Sequence, residues 1–307
     1  MAILVGTCSW TDPTLVRDTD FYPSGVRSAE QRLRYYASIF TVVEADSTFY
    51  APPDPVTTAA WADRTPNDFR MNIKAFGLHT LHPVAPARLW KDLRDELPAE
   101  IARKKNVYAS HLPPPLLEES WARFVHGVDP LVSAGKLGAV LFQWPPWFTA
   151  RSTNRRYIEE VRERLPGLPL AMEFRHHSWL SDRDRDSTIK LLRDHGITYV
   201  CVDEPQGFPT SVPPVLEATA PLAMIRFHGH NAENWNRKGL SAAERFRYLY
   251  SEGELKEWVQ PICSLAESSQ ETHVLMNNCY QDYGIRNAYQ LGRLLEEGIV
   301  GELVETG

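Results

Sequence analysis

The chain has 307 residues, of which 43% are hydrophobic, so it is long enough to bury a large core. Its 33 basic and 39 acidic residues give a formal net charge of −6, which argues against an extended nucleic-acid-binding surface and against attraction to an anionic membrane. No apolar run reaches membrane-spanning length, and the amino terminus runs into the first predicted strand without a signal-peptide pattern. These features predict a cytoplasmic protein.

The cysteines support the same location. Cys8, Cys201, Cys263 and Cys279 form no CxxC pair and no compact cluster. This spacing favours reduced thiols over a disulfide framework or a zinc knuckle.

Eight short apolar runs, each followed by polar residues, are distributed along the chain. They begin at Ile3, Val42, Phe69, Val140, Leu170, Tyr199, Met224 and Val274. Such runs are typical of parallel strands that are buried on both faces, and eight of them alternating with helices predict an α/β fold, a TIM-type (β/α)8-like barrel. We expect one domain over residues 1–307, with the functional site on the rim formed by the carboxyl ends of the strands.

Helical patterns occupy most of the connections between these runs. They cover residues 28–38, 54–64, 153–165, 182–195, 241–250, 254–269 and 285–297. Ser28 followed by Gln31, and Asp54 followed by Pro55, are typical of helix amino termini. Residues 204–221 are rich in proline and show no helical pattern, so we expect one connection to lack a regular helix.

The third connection, residues 75–136, is much longer than the others. It contains helical stretches at about 86–106 and 116–134, separated by Leu112-Pro113-Pro114-Pro115. The length predicts a helical insertion after the third strand, which could act as a lid over the rim.

Six motifs follow one another along the chain. They are Gly6-Thr7-Cys8-Ser9-Trp10, Phe21-Tyr22-Pro23, Asp46-Ser47-Thr48-Phe49-Tyr50, Gln143-Trp144-Pro145-Pro146, Glu173-Phe174-Arg175-His176-His177-Ser178-Trp179 and Arg226-Phe227-His228-Gly229-His230-Asn231. In this order they resemble the YecE-like family, also called domain of unknown function 72. The resemblance implies a TIM-barrel-like fold and no assigned activity. It also marks Asp46 as a departure, because asparagine is usual there in the family.

Glu44 and Glu173 end the second and fifth predicted strands, where they can converge on one pocket. Two carboxylates in different environments can divide acid and base work, so we predict both as catalytic residues, together with Asp203. The alternative is that both glutamates are structural partners of nearby cations. Asp203 could orient a histidine or cap the turn that follows it.

The predicted substrate-binding residues lie in or beside the loops that follow the strands. They are Trp10, Asp46, Tyr50, Lys74, Gln143, Arg175, His176, Trp179, Arg226, His228 and Asn277. Lys74, Arg175 and Arg226 could hold an anionic group, and the aromatic residues could stack on a ligand. The alternative is that these cations neutralise the acidic residues of the rim and leave no space for a ligand.

Together, these residues predict an acid–base enzyme, hydrolase-like, that acts on a polar sugar-containing or phosphorylated small molecule without a cofactor. Two other functions stay open: a non-catalytic protein that binds a nucleotide, a phosphosugar or a nucleic-acid end, and a metal-dependent phosphoesterase or sugar isomerase. A divalent metal stays open because histidines and carboxylates are present, although there is no HExxH motif. The sequence leaves the oligomeric state undetermined.

Overall fold

A computed structural model describes the backbone of residues 2–305 and the side chains of residues 2–297. Its centre is a closed barrel of eight parallel strands that pair in chain order, with the last strand paired to the first. The strands are β1 (Ala2–Thr7), β2 (Val42–Ala45), β3 (Arg70–Lys74), β4 (Leu137–Gln143), β5 (Leu170–Glu173), β6 (Thr198–Asp203), β7 (Leu222–Phe227) and β8 (Glu271–Met276). The predicted TIM-type barrel is therefore confirmed.

The helices lie in the connections between the strands. The α-helices are α1 (Pro13–Asp18), α2 (Ala29–Ala37), α3 (Pro55–Asp63), α4 (Lys91–Asp95), α5 (Ala99–Ala102), α6 (Pro114–Ser133), α7 (Ser152–Arg164), α8 (Arg185–Asp194), α9 (Ala232–Trp235), α10 (Ala242–Arg245), α11 (Glu252–Glu267) and α12 (Tyr283–Glu305). Four short 3₁₀ helices cover Asp46–Phe49, Pro86–Arg88, Ala109–His111 and His177–Leu180. Across the described residues, no helix is both long enough and apolar enough to span a membrane.

Local sequence signals explain where two of these helices begin. The Ser28 hydroxyl accepts a hydrogen bond from the backbone N–H of Gln31, whose side chain bonds back to the Ser28 backbone. Asp54 likewise accepts from the backbone N–H groups of Val56 and Thr57. Both caps satisfy amide donors that have no partner within the helix.

Two predicted helices are wrong in extent. The stretch at 86–106 is divided into short helical pieces, because Pro98 cannot donate a backbone hydrogen bond in a helix interior. The stretch at 241–250 is helical only in α10, and the residues after it pack individually: Phe246 faces Trp235, and the Tyr250 side chain is buried. As expected, residues 204–221 contain no helix.

The third connection contributes mainly to the packing of the barrel wall. Its long helix α6 packs against α3 and β4, with Trp121 and Phe124 buried. An antiparallel bridge between Val84 and Val107 ties the segment before α4 to the segment after α5. A lid role for this connection stays a prediction.

The close approach of β1 and β2 depends on a glycine. Gly6 pairs with Val42, and a β-carbon built on Gly6 would lie 2.0 Å from the Val42 carbonyl oxygen. That distance is far inside van der Waals contact with a backbone atom, which cannot rotate away. Any side chain at position 6 therefore has to push the two strands apart.

We expect Gly6→Ala to lower the free energy of unfolding by about 1–3 kcal/mol, because the added methyl group overpacks the β1–β2 contact. Urea unfolding of the variant and the wild type measures this loss. Gly25→Ala is the matched control, since a β-carbon on Gly25 meets nothing within 4 Å. Equal stability of the two variants would show that β1 and β2 can separate freely.

Candidate functional site

A cavity of about 380 Å³ opens at the carboxyl ends of the strands. Six of the predicted binding residues line it: Asp46, Tyr50, Lys74, Gln143, Arg175 and Asn277. They come from the ends of β2, β3, β4, β5 and β8, so chain segments far apart in the sequence meet at one place. This location matches the rim on which TIM-barrel sites are built.

Arg226 of β7 lies beneath the cavity and joins four other strands or strand ends. Its Nη2 donates to Glu44 Oε1 at 2.8 Å, to Asn277 Oδ1 at 3.3 Å and to Cys8 Sγ at 3.4 Å, and its Nη1 donates to Glu173 Oε2. The Arg226 side chain is buried, and its charge is balanced by two carboxylates. The guanidinium group therefore holds Cys8, Glu44, Glu173 and Asn277 together across the barrel. Arg226 and the residues that it contacts form the floor of the site.

Glu173 is held by a dense set of donors. In addition to Arg226, its carboxylate accepts from Arg175 Nε at 2.6 Å and from Gln143 Nε2 at 2.7 Å, with His228 Nε2 at 3.4 Å. Burial alone would raise the pKa of Glu173, but the guanidinium groups of Arg175 and Arg226 hold it well below its usual range. Glu173 is therefore ionised at neutral pH.

Glu44 is also fully buried, and its Oε2 has no hydrogen-bond partner in the described residues. Neither Glu44 nor Glu173 lines the cavity. The geometry matches the alternative in which both glutamates are structural partners of cations. The catalytic roles of Glu44 and Glu173 stay a prediction, and neither side chain is among those that line the pocket.

His228 is a neutral part of the same floor. Burial, followed by the positive charge of Arg175, lowers the pKa of His228 to about 3. Its Nδ1 lies 2.7 Å from Asn277 Nδ2, and its Nε2 lies 3.2 Å from Arg175 Nη2 and 3.4 Å from Glu173 Oε1. His228 therefore cannot add a positive charge for anion binding at neutral pH.

Arg175 spans the boundary between floor and cavity. Its guanidinium group pairs with Glu173 and donates to Glu204 Oε2 at 3.2 Å, while its planar face lies 5.4 Å from the Trp235 ring centroid. Two carboxylates thus already engage this cation. Its remaining capacity for a ligand is small.

Two predicted aromatic contacts lie outside the cavity lining. Trp10 packs edge-to-face on Trp61 with ring centroids 5.4 Å apart. Trp179 stacks between Phe148 and Phe174, and its Nε1 donates to the Phe148 carbonyl oxygen at 2.6 Å. Both tryptophans are part of the packing beneath the rim loops.

Asp203 and His176 are hydrogen-bonded to other protein groups, and neither lines the cavity. Asp203 Oδ1 lies 2.9 Å from His230 Nε2, and Asp203 Oδ2 accepts from the Tyr250 hydroxyl at 2.6 Å. His176 Nδ1 accepts from the Ser178 backbone N–H at 3.2 Å. Asp203 therefore holds a histidine, but at a distance from the lining residues of the pocket.

Among the predicted residues that line the cavity, Asp46 and Lys74 are the acidic and basic residues without an ion-pair partner in the described structure, whereas Arg175 is paired. Burial raises the pKa of Asp46 to about 6. Burial, followed by the positive charge of Arg226, lowers the pKa of Lys74. The pKa of the acid is thus raised and the pKa of the base is lowered. Shifts of this kind are the pattern expected of an acid–base site.

Arg245 also lines the cavity and was missed by the sequence analysis. Its Nε is buried without a hydrogen-bond partner, and no described carboxylate pairs with its guanidinium group. The stretch 241–250 was predicted as a continuous helix, which gave no reason to aim Arg245 at the rim. The Ser241 cap, which holds a single helical turn, was the available signal.

Cysteines and metal-ligand residue types are dispersed. Cys8, Cys201 and Cys279 carry free thiols. In the part of the chain that the structure describes, no group of three or more His, Cys, Asp or Glu side chains is arranged to hold a metal ion. His79, one of the residues of suitable type, stacks on Trp121 with ring centroids 3.8 Å apart.

Comparisons with known proteins agree with the fold. The family model described as "Protein of unknown function DUF72" matches residues 4–305. The UPF0759 protein YunF of Bacillus subtilis (strain 168) is 30% identical over 298 residues, which are 96% of this chain and 95% of that protein. The UPF0759 protein YecE of Escherichia coli (strain K12) is 26% identical over 255 residues, 77% of each chain.

Solved structures give the same result. A crystal structure of a DUF72 family protein from Thermotoga maritima MSB8 has a TM-score of 0.74 and 31% identity, and the match covers 96% of this chain and 100% of that one. A DUF72 family protein from Enterococcus faecalis V583 has a TM-score of 0.76 and 25% identity, with coverage of 96% and 95%. The similarity extends over the whole barrel.

We expect Arg226→Met to lower the free energy of unfolding at pH 7 by about 3–5 kcal/mol, because it leaves Glu44 buried without a cation and Glu173 with Arg175 alone. The loss should shrink as the pH falls from 7 toward about 4.5, because burial without the guanidinium group raises the pKa of a freed carboxylate above its ordinary value and so allows its protonation in the folded variant. Urea unfolding at several pH values measures both effects. Arg34→Met is the control, since Arg34 pairs with Glu30 on the exposed surface and should change stability little.

We expect Asp46 to oppose folding increasingly as the pH rises. Its pKa moves from 3.8 to about 6 on folding, so folded protein binds the proton more tightly and loses stability as the pH passes through this interval. Asp46→Asn should therefore gain stability relative to the wild type between pH 4 and about 6, and keep that gain above it. A stability difference that does not change with pH would contradict the raised pKa.

Proposed function

Because the chain belongs to the DUF72 family, which is described as of unknown function, we propose its activity from the chemistry of the rim cavity: an acid–base enzyme that acts on an anionic, polar small molecule. The observation that carries this proposal is that Asp46 and Lys74 line the same cavity and form no ion pair with each other. The raised pKa of Asp46, about 6, suits proton transfer near neutral pH, and the lowered pKa of Lys74 favours its unprotonated form.

In this proposal Asp46 is the general acid. A carboxyl with a pKa of about 6 is partly protonated near neutral pH and can donate that proton again in each cycle. Donation to a leaving oxygen is the step shared by hydrolysis of sugar-containing and phosphorylated compounds. The proton donor is thus a cavity-lining aspartate, in place of the buried pair Glu44 and Glu173.

The anionic group of the substrate is assigned to Arg245. The guanidinium group is cavity-facing and has no carboxylate partner in the described structure, so a ligand carboxylate or phosphate would supply its missing acceptor. Phe246 and Trp235 line the cavity beside it and provide apolar surface for the body of the ligand. The net charge of −6 favours a small anion over a long phosphate backbone.

The buried floor has a positioning role in this proposal. Arg226, Glu44 and Glu173 hold the strand ends in one arrangement, and Gln143 and Asn277 extend from that network into the cavity lining. A rigid floor of paired charges excludes water and keeps the lining side chains in place.

A screen for turnover tests the proposal. Purified protein is incubated with phosphorylated sugars, sugar acids and nucleotides, and products are followed by NMR and mass spectrometry. For a substrate found in this way, we expect Asp46→Asn to lower the rate by about 10²–10⁴-fold. The wild-type rate should fall as the pH rises above about 6, and Asp46→Asn should lose this inflection.

The control is Asp68→Asn, an exposed aspartate that precedes β3 at the opposite end of the barrel. It should leave both the rate and the pH profile unchanged. A substrate that Asp46→Asn converts at the wild-type rate would refute the acid role. Tight binding of an anion that weakens in Arg245→Gln, with no product after long incubation, would instead identify a non-catalytic binding protein.

A further inference from the structure

Two lysines of the barrel wall show very different surroundings. Lys136, just before β4, donates from Nζ to the carbonyl oxygens of Thr65, at 2.6 Å, and Ala62. Lys74, at the opposite end of the barrel, forms no hydrogen bond or ion pair from Nζ with the described residues. Its Nζ lies 5.1 Å from the Phe49 ring centroid and faces the cavity. Lys136 has a structural role, whereas the Lys74 amine is available to a ligand.

The position of Lys74 is suited to nucleophilic chemistry. A lysine amine attacks a carbon atom only when it is unprotonated, and burial or a neighbouring cation favours that form. Both influences act on Lys74, because burial and then the charge of Arg226 lower its pKa. These two influences outweigh the opposing negative charges of Glu44, Asp46 and Glu173, so the unprotonated form of the Lys74 amine is favoured relative to a lysine in water.

The other groups of the cavity define what the amine could attack. Asp46 can donate a proton to an oxygen atom that leaves, and Arg245 can hold a phosphate or carboxylate. The cavity of about 380 Å³ has the size of a site for a small metabolite. An aldehyde or ketone carbon can bind an amine and then release its oxygen as water, which uses both the Lys74 amine and the Asp46 proton.

We propose that Lys74 forms an imine with the carbonyl carbon of a small aldehyde or ketone whose anionic group is bound by Arg245. This proposal rests on the proposed function and names its substrate class. It assigns Lys74 a covalent role, where the sequence indicated only anion binding.

The step balances without an oxidant or a reductant. The Nζ lone pair forms a bond to the carbonyl carbon, and the π electrons of the C=O bond move to oxygen, which takes up the proton that nitrogen loses. The resulting carbinolamine loses its hydroxyl group as water, with the proton supplied by Asp46 while the C=N bond forms. The iminium nitrogen then returns a proton to Asp46, which leaves the neutral imine. The net reaction converts an amine and a carbonyl compound into an imine and water.

Reductive trapping tests the proposal. Wild-type protein is incubated at neutral pH with glyceraldehyde 3-phosphate and sodium cyanoborohydride, which reduces an imine to a stable secondary amine. Peptide mapping by mass spectrometry then locates the adduct. We expect Lys74 to be modified about tenfold faster than the exposed Lys190, or more, because the bound anion holds the carbonyl next to Nζ. Modification of Lys74 and Lys190 at equal rates would refute the proposal.

The unphosphorylated probe, glyceraldehyde, separates the binding of the anion from the reactivity of the amine. Arg245→Gln should slow trapping of the phosphorylated probe at Lys74 and leave trapping of glyceraldehyde nearly unchanged. An equal effect on both probes would refute the role of Arg245.

A second outcome distinguishes this inference from the function on which it rests. If a substrate from the turnover screen is converted by Lys74→Arg at the wild-type rate, and no adduct forms on wild-type Lys74, the imine is refuted and the acid role of Asp46 stands. If Lys74 is trapped selectively while Asp46→Asn keeps full turnover, the imine stands and the acid role fails.

Discussion

The buried ion pairs of Arg226 with Glu44 and Glu173 are the interaction on which the rest of the site depends. Three charges lie in the barrel interior with almost no exposure, and each is tolerated because its partner is present. Removing Arg226 would leave Glu44 without a cation in a region of low dielectric and would leave Glu173 with Arg175 alone. The pairs also connect β7 to β2 and β5. The distances between these strands therefore have to match the distances at which the charges can pair.

This network separates the floor of the site from its walls. Glu173 accepts from Arg175 and Gln143 as well as Arg226, so its oxygens are occupied by the protein. The cavity above is lined by groups whose partners are incomplete, above all Lys74 and Arg245. Groups whose hydrogen-bond and ion-pair partners are all supplied by the protein make the site rigid. Groups that lack a partner show which chemical groups a ligand can supply.

Buried ionisable groups that lack a partner lower the stability of the folded protein, and this cost helps to locate a functional site. A carboxyl group kept at a pKa of about 6 by burial, as in Asp46, is less stable in the folded protein than in water at neutral pH. Strain of this kind persists where the surrounding structure is rigid enough to impose it, and it is concentrated at functional sites. The barrel supplies that rigidity, since the Gly6 contact and the Arg226 pairs fix the strand ends.

The sequence by itself determined the barrel, because buried parallel strands must be short and apolar, and each strand must end in polar residues at the same rim. It also placed Asp46 and Lys74 at that rim. Only the tertiary structure decided that Glu173 lies beneath the cavity and that Arg245 lines it. Residue type and strand position do not specify whether a side chain turns inward to a buried partner or outward to solvent. That choice depends on which charges the closed barrel brings together, and it left Lys74 without a carboxylate partner.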